Sequence, residues 1–402
     1  MRRVAVTGLG VVSALGVGRE AHVAGLREGR CGVGQLSIAN VDRLSVTIGA
    51  PASGFVGEER FGKSELALLD RTTQLALTAA AEAVAQSGLE VDEALAPRAG
   101  VAIGTALTGM ETVDANYRAV YEEKKNRVHP FVVPRLMTNA GASQISMAHG
   151  LTGPAWTVST ACSSSNHAIG QAFHLIRSGG ADVMLAGGAE APLVFGVIKA
   201  WEGLRVMSKD GCRPFCETRN GMVQGEGAAV LVLEEWDRAA RRGAPILAEL
   251  AGFSMTADAG DIVTPSAEGA ARAIRGALLD ARLAPEDVGY INAHGTATAA
   301  NDRTECAAIR SAFGAAAETV SVSSTKSMHG HCLGGAGAVE MAAVVLALSE
   351  GVIAPTVGLV RQDPACDLDV TPITARERRV DAALSNSFAF GGLNAVLAAR
   401  RA

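Results

Sequence analysis

Aromatic side chains are scarce in this sequence, at 4% of residues, and positive charge is not in excess: 36 lysines and arginines stand against 41 aspartates and glutamates. A basic patch interleaved with aromatics is therefore missing, and no nucleic-acid partner is expected. No uninterrupted apolar run reads as long enough to cross a membrane. The opening MRRVAVTGLGVVSALG has neither the long apolar stretch nor the cleavage site of a signal peptide. The seven cysteines are odd in number and have no framework spacing. That pattern predicts reduced thiols and a cytoplasmic location. Cys212 and Cys216 have no second Cys or His pair nearby, so no zinc site is expected.

What the chain does have is apolar residues, 48% of 402, and 46 glycines scattered among them. That is enough for a sizeable core. Short apolar strands alternate with helical patterns, which predicts an α/β protein. Two long stretches also share one order of elements. The first has a helix over 75–86, strands at 100–104 and WTVST, a sharp turn at Ala161–Cys162, a helix through Ile169, Phe173 and Ile176, and a strand at 182–186. The second has a helix over 270–281, strands at 289–292 and VSVSS, a glycine-rich turn, and a helix over 339–348. This order predicts a duplicated unit, with an N-terminal half of residues 1–244 and a C-terminal half of 245–402. Cys162, His294 and His331 each follow a strand, where ligands collect in open α/β sheets.

Cys162 lies in STACSSSNHAIG, between a strand and a helix. A helix N-terminus favours thiolate, so Cys162 is expected to alkylate before Cys31 or Cys366. Its small neighbours suit a nucleophile elbow, although a free cysteine also serves as a small buried hydrophobe. His294 lies in INAHGTATAAND and His331 in STKSMHGHCLGGAGAVE. One Cys and two His fit acyl transfer, peptide hydrolysis or metal binding, and spacing does not choose among them. Phe390, Gly391 and Gly392 form a turn between short strands, whose N–H groups suit an oxyanion hole; a glycine-rich hairpin would look the same. His22 and His129 are expected at the surface or in loops, and the glycines of TGLG do not complete a dinucleotide fingerprint.

TACSSS, NAHGTAT, KSMHGHCLGGAG and FGG, in this order, resemble the β-ketoacyl-acyl-carrier-protein synthases, and the resemblance spans nearly the whole chain. It is similar to chain-elongating synthases, nodulation protein E and the catalytic subunits of type II polyketide synthases. The resemblance implies a thiolase fold, two related halves in a five-layer α-β-α-β-α sandwich. It makes Cys162 the acyl carrier and gives His294 and His331 the malonyl carbonyl during a decarboxylative condensation. The amides of Cys162 and Phe390 form the oxyanion hole, with the Phe390 ring as gate. Lys326 and Glu340 organise the surroundings and ordered water. Thr296 and Thr298 hold the phosphopantetheine arm of the carrier, and no metal or bound cofactor is required. Leu107, Val132 and Trp201 fall near the acyl pocket or its gate. The stretch before Asp70 is SELALL rather than basic, so Arg205 and Lys209 become candidates for carrier docking. His329, where many relatives carry a hydroxyl, is read as structural. The implied partners are an acyl-carrier protein and either a second copy or a chain-length factor. Fatty-acid and polyketide (including polyene) elongation both remain open, as does a thiolase acting on coenzyme A thioesters, or a subunit active only beside a chain-length factor.

Overall fold

Ten strands and six helices form the frame of the computed structural model, which describes residues 1–402. In the first half these are β1 Val4–Ser13, α1 Arg71–Ser87, β2 Ala99–Gly104, α2 Ala140–His149, β3 Ala155–Val158, α3 Ser164–Arg177, β4 Val183–Glu190 and β5 Gly227–Glu235. The second half repeats the order: β6 Ala248–Ala257, α4 Ala267–Ala281, β7 Tyr290–Asn292, α5 Ala299–Phe313, β8 Ser321–Ser323, α6 Ala336–Glu350, β9 Ala382–Ala389 and β10 Leu393–Arg400.

The strand order β3-β2-β4-β5-β1 is mirrored by β6-β10-β9-β7-β8. In each half the two outermost pairings are parallel and the others antiparallel. The halves join at an antiparallel seam between β1 and β6, from Val4–Leu250 to Val6–Ala248. Duplication is thus visible in pairing as well as in element order.

Local chemistry explains the packing. β1 is buried along its whole length. A Cβ on Gly10 would lie 1.9 Å from the Ala79 carbonyl oxygen, so the glycines of TGLG let α1 press against the strand. Asp70 caps α1 by accepting from the Thr72 N–H at 3.0 Å, and also takes the Thr112 hydroxyl at 2.7 Å. α1 and α2 cover one outer face, α4 and α5 the other, while α3 and α6 lie between the two halves of the strand array. Ile169 and Phe173 of α3 share one core with Val339 and Leu348 of α6 and with strand residues of both halves.

Three expectations need correction. Residues Leu333–Glu350 are long and apolar enough to cross a membrane, yet they are almost wholly buried within the protein. The apolar surface that such a run would offer lipid is already covered by strands of both halves, and its one interior charge, Glu340, is paired with Lys326. His22 is not a surface residue: it is fully buried in the helix Arg19–Glu28, with Nδ1 2.7 Å from Ser13 Oγ. The strands at the C-terminal hairpin are also longer than expected, eight residues each.

Candidate active site

Cys162 stands between β3 and α3. Ala161 before it takes φ +50°, a left-handed backbone that a small residue tolerates best. Ser164 Oγ fixes the turn by accepting from the Thr160 N–H at 2.9 Å and donating to the Ala161 carbonyl at 2.6 Å. The sulfur sits at the bottom of a cavity rather than on the surface, and Cys162 is 7% exposed. Burial pushes its thiol up to about 12; the charge of Lys326 pulls the other way but does not prevail. Burial thus opposes the thiolate that a helix terminus favours.

His294 follows β7. Its N–H donates to Glu305 Oε1 at 2.8 Å, and the Gly295 N–H donates to Glu305 Oε2 at 2.7 Å. Asn386 Nδ2 also donates to Glu305, at 3.1 Å. His331 is held through its backbone: its N–H donates to Val223 O at 2.7 Å, and its carbonyl accepts from Gly225 N at 3.0 Å. The two imidazoles meet edge to face, with centroids 5.4 Å apart. Reactive atoms of Cys162, His294 and His331 all lie within 4.8 Å of one another. Nδ1 of each histidine is buried without a partner, which leaves Nε2 as the nitrogen open to the cavity.

Both imidazoles are held well below their ordinary range, by burial first and then by the charge of Lys326. They are therefore neutral donors at neutral pH. Lys326 and Glu340 are fully buried and ion-paired with each other. Burial raises the Glu340 carboxyl, and Lys326 lowers it. One Cys and two His within this distance are also a donor set for a transition metal. The buried cation that acts on both histidines opposes a second positive charge there.

Thr296, Thr298, Trp201, Arg205 and Phe390 line the same cavity as the three reactive residues. The Thr296 and Thr298 hydroxyls are 2.9 Å apart, and Thr298 caps α5. The amides of Cys162 and Phe390 donate to no other group of the protein, although the Cys162 amide faces its own sulfur. Leu107 lines a second, mostly apolar cavity with Met110, Val113 and Val197, and Trp201 belongs to both. Val132, half-buried in the short helix Val132–Leu136, lines neither cavity, and Lys209 is exposed outside both. His329 is buried, with ring nitrogens 3.0 Å from Thr325 Oγ1 and 2.9 Å from the Gly330 carbonyl.

Four residues near the site were not singled out by sequence reasoning. Besides Glu305, Asp302 accepts from the Phe215 and Ala297 N–H groups at 2.8 and 3.1 Å, with Arg219 3.6 Å away. Glu190 ends β4 and is fully buried. The available signal was an acid directly after an apolar strand, or in the first turns of the helix after His294, where a solvated position would be the ordinary guess.

Family models agree with this architecture. The beta-ketoacyl synthase N-terminal domain matches residues 1–239, and the beta-ketoacyl synthase C-terminal domain matches residues 247–360. The chain is 49% identical over 400 residues to nodulation protein E of Rhizobium sp. (strain N33), covering 100% of this chain and 99% of the relative. It is 39% identical over 403 residues to 3-oxoacyl-[acyl-carrier-protein] synthase 2 of Staphylococcus aureus (strain COL), covering 98% and 97%. Among solved structures, the ishigamide ketosynthase/chain length factor superposes with a TM-score of 0.95 at 34% identity, covering 100% and 99%.

Proposed function

The chain belongs to the beta-ketoacyl synthase family, and from that premise we propose how its residues carry out a decarboxylative condensation on carrier-bound thioesters. It is an acyltransferase-type condensing enzyme with the thiolase fold of fatty-acid and polyketide chain elongation. The observation that carries the assignment of roles is the convergence of Cys162, His294 and His331 within 4.8 Å in one cavity.

In the first half-reaction Cys162 Sγ attacks the thioester carbon of an acyl group delivered on a phosphopantetheine arm. The new S–C bond replaces the bond to the arm, which leaves as its thiol. Because the Cys162 thiol is neutral at rest, its proton must leave as the bond forms, and it passes to the departing sulfur of the arm, which is how the arm leaves as a thiol. Thr296 and Thr298 line the way in and hold the arm.

In the second half-reaction the arm brings a malonyl group. Nε2–H donors of His294 and His331 bind its thioester carbonyl, and the bond to the carboxylate breaks with release of carbon dioxide. The electron pair becomes an enolate, stabilised by the two donors. Its carbon attacks the acyl carbon on Cys162; the new C–C bond forms, the C–S bond breaks, and the sulfur leaves as a thiolate that takes a proton from water to restore the neutral thiol. The Cys162 and Phe390 amides receive the oxyanion of that step. The acyl chain occupies the cavity that Leu107 and Trp201 line, and Val132, which lines neither cavity, is not assigned to it. Lys326 and Glu340 keep the imidazoles neutral and in place, without a metal.

An acyl-carrier protein is the partner, with Arg205, which lines the cavity, and the exposed Lys209 as docking cations. A second copy or a chain-length factor completes the assembly, in the cytoplasm. Residues 1–244 form the Cys-bearing half and 245–402 the His-bearing half. The test is Cys162→Ala with intact mass after incubation with acyl-carrier protein: no acyl adduct is expected, and a persisting adduct would move the nucleophile elsewhere.

A further inference from the structure

Glu190 is the last residue of β4 and is fully buried without an ion pair. Four donors from two separate segments converge on it. Its Oε2 accepts from Ala106 N at 2.6 Å and Gly334 N at 3.1 Å; its Oε1 accepts from Leu107 N at 2.9 Å and Thr105 Oγ1 at 3.1 Å. Gly334 is gripped from the other side as well, since its carbonyl accepts from Ser165 Oγ, three residues beyond the nucleophile. No side chain fits at Gly334: a Cβ there would lie 2.3 Å from Ala106 N and 2.7 Å from Glu190 Oε2. One carboxylate thus joins the loop that carries Leu107 to the turn that follows His331 and, through that turn, to the helix of Cys162.

Leu107 lines the apolar cavity that shares Trp201 with the cavity of Cys162. We propose that Glu190 is a positioning residue that fixes the Leu107 loop against the 333–335 turn and thereby sets which acyl chains pass Leu107. The proposal rests on the condensing function and on the Leu107 cavity as acyl chamber. The Leu107 amide has no other partner than Glu190; the neighbouring bonds are Thr105 Oγ1 to Thr108 Oγ1 at 2.9 Å within the loop and Thr105 N to Val158 O at 3.1 Å. Burial raises the Glu190 carboxyl to about 7 while the four donors pull it down, so above that pH the bonds are of the charge-assisted kind, stronger than neutral ones.

Glu190→Gln tests this. The amide keeps the volume, but its NH2 cannot accept, so one or two of the four donors lose their partner. Acyl loading onto Cys162 is measured by intact mass across a series of chain lengths on carrier protein. The ratio of long-chain to short-chain loading should rise about tenfold, the effect of losing roughly one charge-assisted bond. In a Leu107→Ala background the same Glu190→Gln change should leave the ratio unaltered, because the residue it positions is gone. A merely structural role for Glu190 would lower melting temperature and loading at every length, with or without Leu107. Thr105→Val removes only one donor and should shift the ratio the same way by less, which covers the case in which Glu190→Gln does not fold. An unchanged ratio in folded Glu190→Gln, or an equal shift in the Leu107→Ala background, would overturn the proposal. Wild-type protein that loads no acyl chain would instead overturn the condensing reading, and this proposal with it.

Discussion

The rings of Trp201 and Phe390 stack with centroids 5.8 Å apart and planes 23° apart, where the cavity of Cys162 meets the cavity of Leu107. Phe390 belongs to a loop whose next residues, Gly391 and Gly392, have φ of +82° and +68°. That loop is tied to the facing segment by two backbone bonds, Gly391 N to Ile262 O at 2.8 Å and Asp258 N to Gly392 O at 2.9 Å. Removing the Trp201 ring should free Phe390 and widen the passage. Trp201→Ala is expected to load bulky, branched acyl groups several-fold faster relative to straight chains of equal length. Equal loading of both, at unchanged stability, would remove the stack from the path of the chain.

His294→Ala and His331→Ala should each still take an acyl group on Cys162 but decarboxylate malonyl-carrier protein about 10²–10³-fold more slowly, the usual cost of losing one such donor. Carbon dioxide release from each variant gives the answer. Near-normal release in both would contradict the paired-donor arrangement. Since burial holds both imidazoles well below their ordinary range, wild-type release should not fall through their protonation as pH drops across 6.5. The active form is the neutral one, and it persists down to the lowered folded-state value.

Alkylation of Cys162 should climb with pH. Its thiol is pushed up to about 12, so the thiolate fraction grows about tenfold per pH unit across the range in which the protein is handled. Peptide mapping after limited iodoacetamide at pH 7, 8 and 9 follows it, with the exposed Cys31 as the internal comparison. Cys31 should label first at pH 7. A Cys162 rate that levels off below pH 8 would mean that the helix terminus holds a thiolate after all.

The Lys326–Glu340 pair is buried on all sides. Lys326→Met leaves a buried carboxylate without its cation and should cost about 3–5 kcal/mol in urea unfolding. The double variant Lys326→Met/Glu340→Leu should recover most of that stability while remaining inactive. Equal stability of the single and double variants would show that the pair is not coupled.

Much of the frame was legible in the sequence because its signals are local. Apolar periodicity marked the helices at 75–86 and 270–281 and the strands around them, and their shared order announced the duplication that the mirrored strand pairing displays. The four motif segments, read together, pointed to the family. Their glycines and small residues reflect backbone constraints that act within a few residues, such as φ +50° at Ala161.

What only tertiary structure decided depends on which distant segments cover a group. Three residues from strand ends of both halves converge within 4.8 Å, a fact of strand pairing and not of spacing. Burial raises the Cys162 thiol, and that burial is supplied by loops far away in the chain, so the local helix-terminus argument left out an effect of opposite sign. His22 looked like a surface residue until the fold enclosed it beside Ser13. Glu190 and Glu305 read as ordinary acids until their carboxylates were seen to gather backbone N–H groups from separate segments. Desolvation and hydrogen-bond partnership are properties of the assembled chain, because each needs atoms that the neighbouring sequence does not contain.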